Sequence, residues 1–360
     1  MKQICSIIIG CCITCVVSAQ EFGTMSDECS RKLEEAGHFY IDGQFEDCIT
    51  NLNLILKNCE LSRSETDDVY ELLANAQIML DKPKEADSAV FKMLKMNPHY
   101  QLKEEYNLPA YNQLVRKFSV FPRLSIGVRN AYNSIHYTKT KTFSVLDDLD
   151  YDEPYNHKGF SIFYYGWAEF AFDKLISINA DLIFFWTTYN RRFVKDPGFN
   201  LYYSEINNFV EIPVYLKRYF HIPKYRNILP YVALGAGWLR MTGAYADVSI
   251  AYTKNDNLLT GHSYDYVGYS NNIDVITMRN RNLFELIEGA GVGYQYRNFR
   301  FFFDLRYYAG LKSFTNEAAR FGNDDLRETY FYIDNSVRLN QFEIGISISY
   351  TLLNSIVKKN

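Results

Sequence analysis

Beyond its first twenty residues the chain lacks any long apolar run, and it holds only six histidines, nine prolines and seven cysteines in 360 residues. Each scarcity excludes something. With no further stretch of about 18 apolar residues, no later segment crosses a bilayer as a helix. The histidines (His38, His99, His136, His157, His221 and His262) are scattered, and no histidine, carboxylate or cysteine spacing matches a zinc site. His262 is followed by Ser263, but a nucleophile needs two positioned partners, so the pair reads as solvated loop. The acidic run Asp147 to Glu153 lacks the ligand spacing and turn glycine of a calcium loop. The sequence therefore assigns no catalytic residue, no cofactor and no metal. A net charge of −4 offers nothing to nucleic acid.

What is present begins at the N-terminus. Lys2 precedes a run of apolar or small residues, Ile4 to Ala19, ending in Val-Ser-Ala. That pattern reads as a signal peptide over 1–19 and hence an exported protein; the run is short for a membrane anchor. A lipid-modified Cys11, after Ile-Gly, is a minor alternative. Four cysteines leave with the peptide, and Cys29, Cys48 and Cys59 remain where a disulfide persists. Cys29 lies near the start of one expected helix and Cys59 just past the end of the next, neighbouring positions in a helical hairpin. Cys48 and Cys59 are separated on one helix by about 16 Å of rise, too far to bridge. The spacing predicts Cys29 paired with Cys59, and Cys48 buried and reduced.

Two halves follow, with different periods. Residues 20–116 carry 18 acids against 10 bases and read as helix. Ala36, Phe39, Gly43, Phe45 and Cys48, then Ala74, Ala86, Val90, Met93 and Pro98, place small, aromatic and turn residues as in a tetratricopeptide repeat. This half resembles two divergent tetratricopeptide-like hairpins plus a short helix near 109–115. From 117 to 360 the period becomes two. Eight strands are expected near 122–137, 159–172, 175–190, 204–219, 229–244, 282–296, 299–312 and 337–352. Long polar loops at 138–158, 191–203, 245–281 and 313–336 alternate with short turns at Asp173–Lys174, 221–228 and Arg297–Asn298. Alternating loop length is the mark of an up-and-down barrel.

Parity then sorts each strand into two faces. In "FFFDLRYYAG" Phe301, Phe303, Leu305 and Tyr307 take one side, while Asp304 and Arg306 take the other. The apolar rows end in aromatics, which suits the headgroup-level girdles of a membrane barrel with its apolar face outward. Nine charged residues are then expected inside: Arg129, Glu169, Asp181, Glu211, Lys217, Glu285, Asp304, Arg306 and Glu343. Eight strands leave a bore that side chains fill, and buried charges there must pair. Glu288 falls on the outward parity, which suggests a bulge. Gly235, Gly237, Gly289, Gly291 and Gly293 fall on the inner face; "GAGVG" lacks the spacing of a nucleotide loop.

The fold class expected is therefore a helical N-terminal domain followed by an eight-stranded antiparallel transmembrane β-barrel. The strand pattern and the "FEIGISISYTL" ending resemble the PorT-like outer-membrane barrel family, and the architecture is similar to OmpA- and OmpX-type barrels. The chain departs from them by continuing from Asn354 to Asn360. The resemblance implies an outer-membrane protein with the helical domain in the periplasm, envelope roles such as secretion-system accessories, and no catalytic residues. The leading reading is a non-enzymatic anchor in the lipid bilayer whose residues 20–116 dock a periplasmic protein. A small solute channel and a soluble calycin-like ligand-binding barrel are the alternatives.

Overall fold

The computed structural model describes residues 27–102, 107–143, 159–195, 199–225, 227–256 and 262–358. The expected signal peptide, the acidic run 147–153 and His157 lie outside the described residues. The chain divides into two compact units, residues 1–121 with 354–360, and residues 122–353. The C-terminal seven residues thus group with the helical unit rather than the barrel.

The helical unit holds α1 (Asp27–Ile41), α2 (Phe45–Asn58), α3 (Arg63–Met79), α4 (Pro83–Met96) and α5 (Pro109–Arg116). α1 packs on α2 and α3 on α4, as two hairpins. Each hairpin turn puts one residue at positive φ, Gly43 at 76° and Asp81 at 55°; glycine does so without steric cost. α3 begins with a capping box, Ser62 Oγ accepting from the Glu65 amide at 3.3 Å and Glu65 Oε2 from the Ser62 amide at 2.7 Å. Ala36, Leu52, Ile55, Val69, Ala74, Ala86, Val90 and Met93 are buried in one core. Cys29 and Cys59 form a disulfide with a Cα separation of 6.0 Å, and Cys48 is free and buried.

The second unit is a closed barrel with one strand outside the ring. Its strands are β1 (Phe118–Lys141), β2 (Gly159–Ala171), β3 (Ile176–Lys195), β4 (Phe199–Tyr219), β5 (Ile228–Asp256), β6 (His262–Asp274), β7 (Asn282–Tyr296), β8 (Phe299–Gly310) and β9 (Ser336–Lys358). β1 pairs with β2 and with β9, the order continues through β8 and β7 to β5, and a β4–β5 pairing closes eight strands into a ring. β6 is the ninth. Among the described residues it pairs only with the far half of β5, from Tyr245–Asp274 to Asp256–His262.

The strands thus run further than expected. The loop expected at 191–203 is instead a prolongation of β3 to Lys195 and β4 from Phe199. Most of the loop expected at 245–281 is the β5–β6 hairpin and a 3-10 turn, Ile276–Met278. Polar residues there alternate with Tyr, Val and Ile at period two, and the alternation is what makes strand. The 313–336 segment keeps short 3-10 and π turns, Glu317–Ala319 and Asp325–Thr329.

Outside the ring lies an apolar band. Phe184, Trp186, Leu216, Leu234, Phe284, Leu286, Phe301, Phe303, Ile346 and Ile348 all point outward and are exposed. Above this band the outward rows turn polar, as at Arg192, Asn200 and Ser204. Glu288 also points outward, but no bulge accompanies it: β7 stays in continuous register with Leu234 and Tyr307 on either side. The register shifts lie elsewhere, at Asn208/Phe209 and Ala246/Val248.

Candidate functional site

The alternation that turns aromatics outward turns charge inward, and the inward charges stack in layers along the bore. Nearest the short turns, Glu169 of β2 accepts from Arg300 Nη1 at 3.2 Å and from the Tyr219 hydroxyl at 3.0 Å, with Lys217 Nζ at 4.0 Å. Arg300 Nη2 also donates to Ser125 Oγ at 2.8 Å. Lys217 sits among aromatic rings, 4.6 Å from Phe302 and 4.8 Å from both Trp167 and Tyr231.

The next layer is centred on Asp304. Arg129 grips it with both terminal nitrogens, Nη1 reaching Oδ2 at 2.6 Å. Arg306 Nε donates to Asp304 Oδ1 at 3.1 Å and its Nη1 to Asp181 Oδ2 at 2.7 Å. The Tyr215 hydroxyl donates to Asp181 at 3.0 Å, and Tyr231 to Asp304 at 2.8 Å. Glu343 completes the layer, 2.7 Å from Arg129 Nη2 and accepting from the Tyr165 hydroxyl at 3.0 Å. Arg129, Lys217, Arg300 and Arg306 thus face Glu169, Asp181, Asp304 and Glu343, four charges of each sign, all buried. This stretch is electrically neutral.

Further along the bore, Gln341 Nε2 donates to Glu211 Oε2 at 3.4 Å and to Glu285 Oε2 at 3.3 Å. Beyond them Ile183, Phe185, Phe209, Leu239, Met241 and Leu283 fill the lumen as an apolar core. A second buried network caps that core. Arg279 Nε donates to Glu205 Oε1 at 2.7 Å, its Nη1 lies 2.5 Å from Asp334, and the Tyr203 hydroxyl donates to Glu205 at 2.6 Å. Ion pairs, apolar packing and a second set of ion pairs therefore follow one another through the bore.

All nine residues named from parity, Arg129, Glu169, Asp181, Glu211, Lys217, Glu285, Asp304, Arg306 and Glu343, are placed inside. Seven of them join the neutral stretch, while Glu211 and Glu285 stand together apart from it. Arg300 was missed, although it shares the parity of Asp304. Glu205 was missed although it lies in the strand expected at 204–219 and shares the parity of Glu211; Arg279 and Asp334 were missed because they lie in segments read as loop.

No family model matches the chain. No curated protein matches it either. Among solved structures it is similar to Neisserial surface protein A, with 10% identity over 65% of this chain and 99% of that one, at a TM-score of 0.30. It is also similar to Ail, the attachment invasion locus protein of Yersinia pestis, at 13% identity over 64% and 99%, TM-score 0.26. OprG, an outer membrane protein of Pseudomonas aeruginosa, aligns at 9% identity over 64% and 97%, TM-score 0.30.

Proposed function

We infer that the chain is a non-enzymatic outer-membrane barrel that serves as an anchor, and that its helical unit lies in the periplasm and docks a protein partner. The observation that carries the reading is the packed lumen: a neutral stretch of four cations against four acids, then Glu211 and Glu285 held by Gln341, then an apolar core. A bore filled in this way has no continuous water path. The outward apolar band, bounded by aromatics such as Phe172, Tyr296, Trp186 and Trp238, supports lipid as the surrounding medium. Paired helical hairpins supply the docking element, in keeping with their tetratricopeptide-like sequence, and the PorT-like resemblance points to envelope assembly or secretion as the setting.

The test is electrical and biochemical. Purified protein in planar bilayers is expected to give no steady conductance. Mild cross-linking in cells is expected to capture a periplasmic protein on residues 27–102, and a deletion of that unit abolishes capture while the barrel still inserts. A large, stable open-state current in the unmodified protein overturns the anchor reading and promotes a channel.

A further inference from the structure

Of the acids in the ion-paired stretch and the layer next to it, only Glu211 and Glu285 form no ion pair among the described residues. Both are buried, 1% and 2% exposed. They come from strands that are not neighbours, β4 and β7, with β5 running between them. Gly237 of β5 leaves Glu285 its place, since a Cβ there would sit 2.7 Å from Glu285 Oε1. One amide nitrogen, Gln341 Nε2, touches both carboxyls. Its partner oxygen is already occupied, accepting from Asn133 Nδ2 at 2.6 Å. The Oε1 atoms of both glutamates have no protein partner.

The groups facing the pair supply no counter-charge. β9 offers Glu343, itself an acid and already held by Arg129 and Tyr165. β8 offers the Tyr308 hydroxyl, which donates to Glu343 Oε2 at 3.4 Å. β1 offers Asn133, and Ile183 of β3 and Leu239 of β5 lie opposite Glu211 in register. Two carboxylates side by side without a cation or bulk water cannot both stay ionised.

We propose that Glu211 and Glu285 hold a single proton between them, joined by a carboxyl–carboxylate hydrogen bond, and that releasing this proton to solvent loosens the plug. Ionising the second carboxyl places two like charges on strands that flank β5, and their repulsion draws water between the ion-paired layer and the apolar core. The sign follows from linkage. The native state keeps a proton that the unfolded chain surrenders above about pH 4.3. Stability therefore falls as pH rises from there until the pair ionises. This holds for the barrel whatever its helical unit docks.

The full-length protein in detergent, melted at pH values from 6 to 9, tests it. The wild type is expected to lose several degrees of melting temperature across this range, while the double variant Glu211→Gln/Glu285→Gln, which keeps shape but cannot titrate at this site, loses the dependence. All other titrating groups are common to the two proteins and cancel in the difference. An infrared spectrum of the wild type near neutral pH is expected to show the carbonyl stretch of a protonated carboxyl, absent from the double variant. This spectrum needs no variant to fold, and absence of the band in the wild type overturns the proposal. Superimposable pH profiles overturn it too. A melting temperature that follows sodium or calcium concentration at fixed pH also overturns it, since a metal ion then sits where the proton is placed.

Discussion

Arg129 and Asp304 face each other across a strand that belongs to neither. Arg129 is on β1, Asp304 on β8, and β9 runs between them with Gly345 directly opposite Asp304 in register. The guanidinium lies over that glycine; a Cβ there would come within 2.6 Å of Arg129 Cζ. The bidentate pair therefore exists because one position on the intervening strand is empty. Gly345→Ala is expected to push Arg129 off Asp304 and cost about 1–3 kcal/mol, as overpacking does. Asp304→Ala leaves Arg129 and Arg306 short of their shared anion and is expected to cost about 3–5 kcal/mol. Urea unfolding of the folded barrel from liposomes reads both. Equal stability of Gly345→Ala and wild type would show that the guanidinium has room to move.

The helical unit makes a separate prediction through its cysteines. The disulfide closes 30 residues of sequence separation between Cys29 and Cys59, which in the chain-entropy model is worth about 3.5–4 kcal/mol. Reduction is expected to lower the stability of this unit by an amount of that order, measured by circular dichroism on heating. Cys48 should stay silent meanwhile. Burial pushes its thiol up to about 11, so at pH 8 little thiolate exists to attack a reagent. Iodoacetamide is expected to spare Cys48 in the native, oxidised protein and to modify it in denaturant; prompt native labelling would place it at the surface.

How much of this was legible beforehand follows from period and parity. On β8, alternation put Asp304 and Arg306 on one face and Phe301 and Phe303 on the other, since a strand has only two faces, and the aromatic-ended apolar rows then chose which face was outward. The same logic reached Glu211 on β4 and Glu285 on β7, but it could not see that they touch. That contact depends on β4 and β7 flanking β5, and the place of Glu285 on Gly237 leaving a gap, both facts of register rather than of pattern. Arg279 was beyond reach for another reason. It lies just after a 3-10 turn, where no periodicity assigns a face. The β5–β6 hairpin was hidden by composition, because Asn, Asp and Ser that suit a solvated strand read equally well as loop.

Topology across the membrane is open to direct labelling. If the short turns face the periplasm, single cysteines placed at Asn272 or Asn323 in a Cys48→Ala background are expected to react with an impermeant maleimide on intact cells. Cysteines at Asp173 or Asn298 are expected to react only after the outer membrane is breached. Labelling of Asn298→Cys from outside would invert the barrel and remove the periplasmic placement of the helical unit with it.

Arg306 and Lys217 should differ in cost although both are buried cations in the same stretch. Glu169 has two cations, Arg300 at 3.2 Å and Lys217 at 4.0 Å. Removing Lys217 therefore leaves Glu169 paired, and the lost interactions are the weaker ones with Trp167, Tyr231 and Phe302. Asp181 has a single ion pair among the described residues, Arg306 Nη1 at 2.7 Å. Removing Arg306 strands that carboxylate with only the Tyr215 hydroxyl, and it also strips one of the two cations from Asp304. An uncompensated buried charge costs about 3–5 kcal/mol, whereas a cation–π contact is worth about 0.5–2 kcal/mol. Arg306→Met is thus expected to destabilise the barrel by at least twice as much as Lys217→Met. Adding Asp181→Asn to Arg306→Met should recover part of the loss, because the amide carries no charge to compensate. The comparison is made by urea midpoints at constant slope. Equal losses for the two single variants, or no recovery in the double, would mean that water reaches Asp181 and that the bore is not closed at this layer.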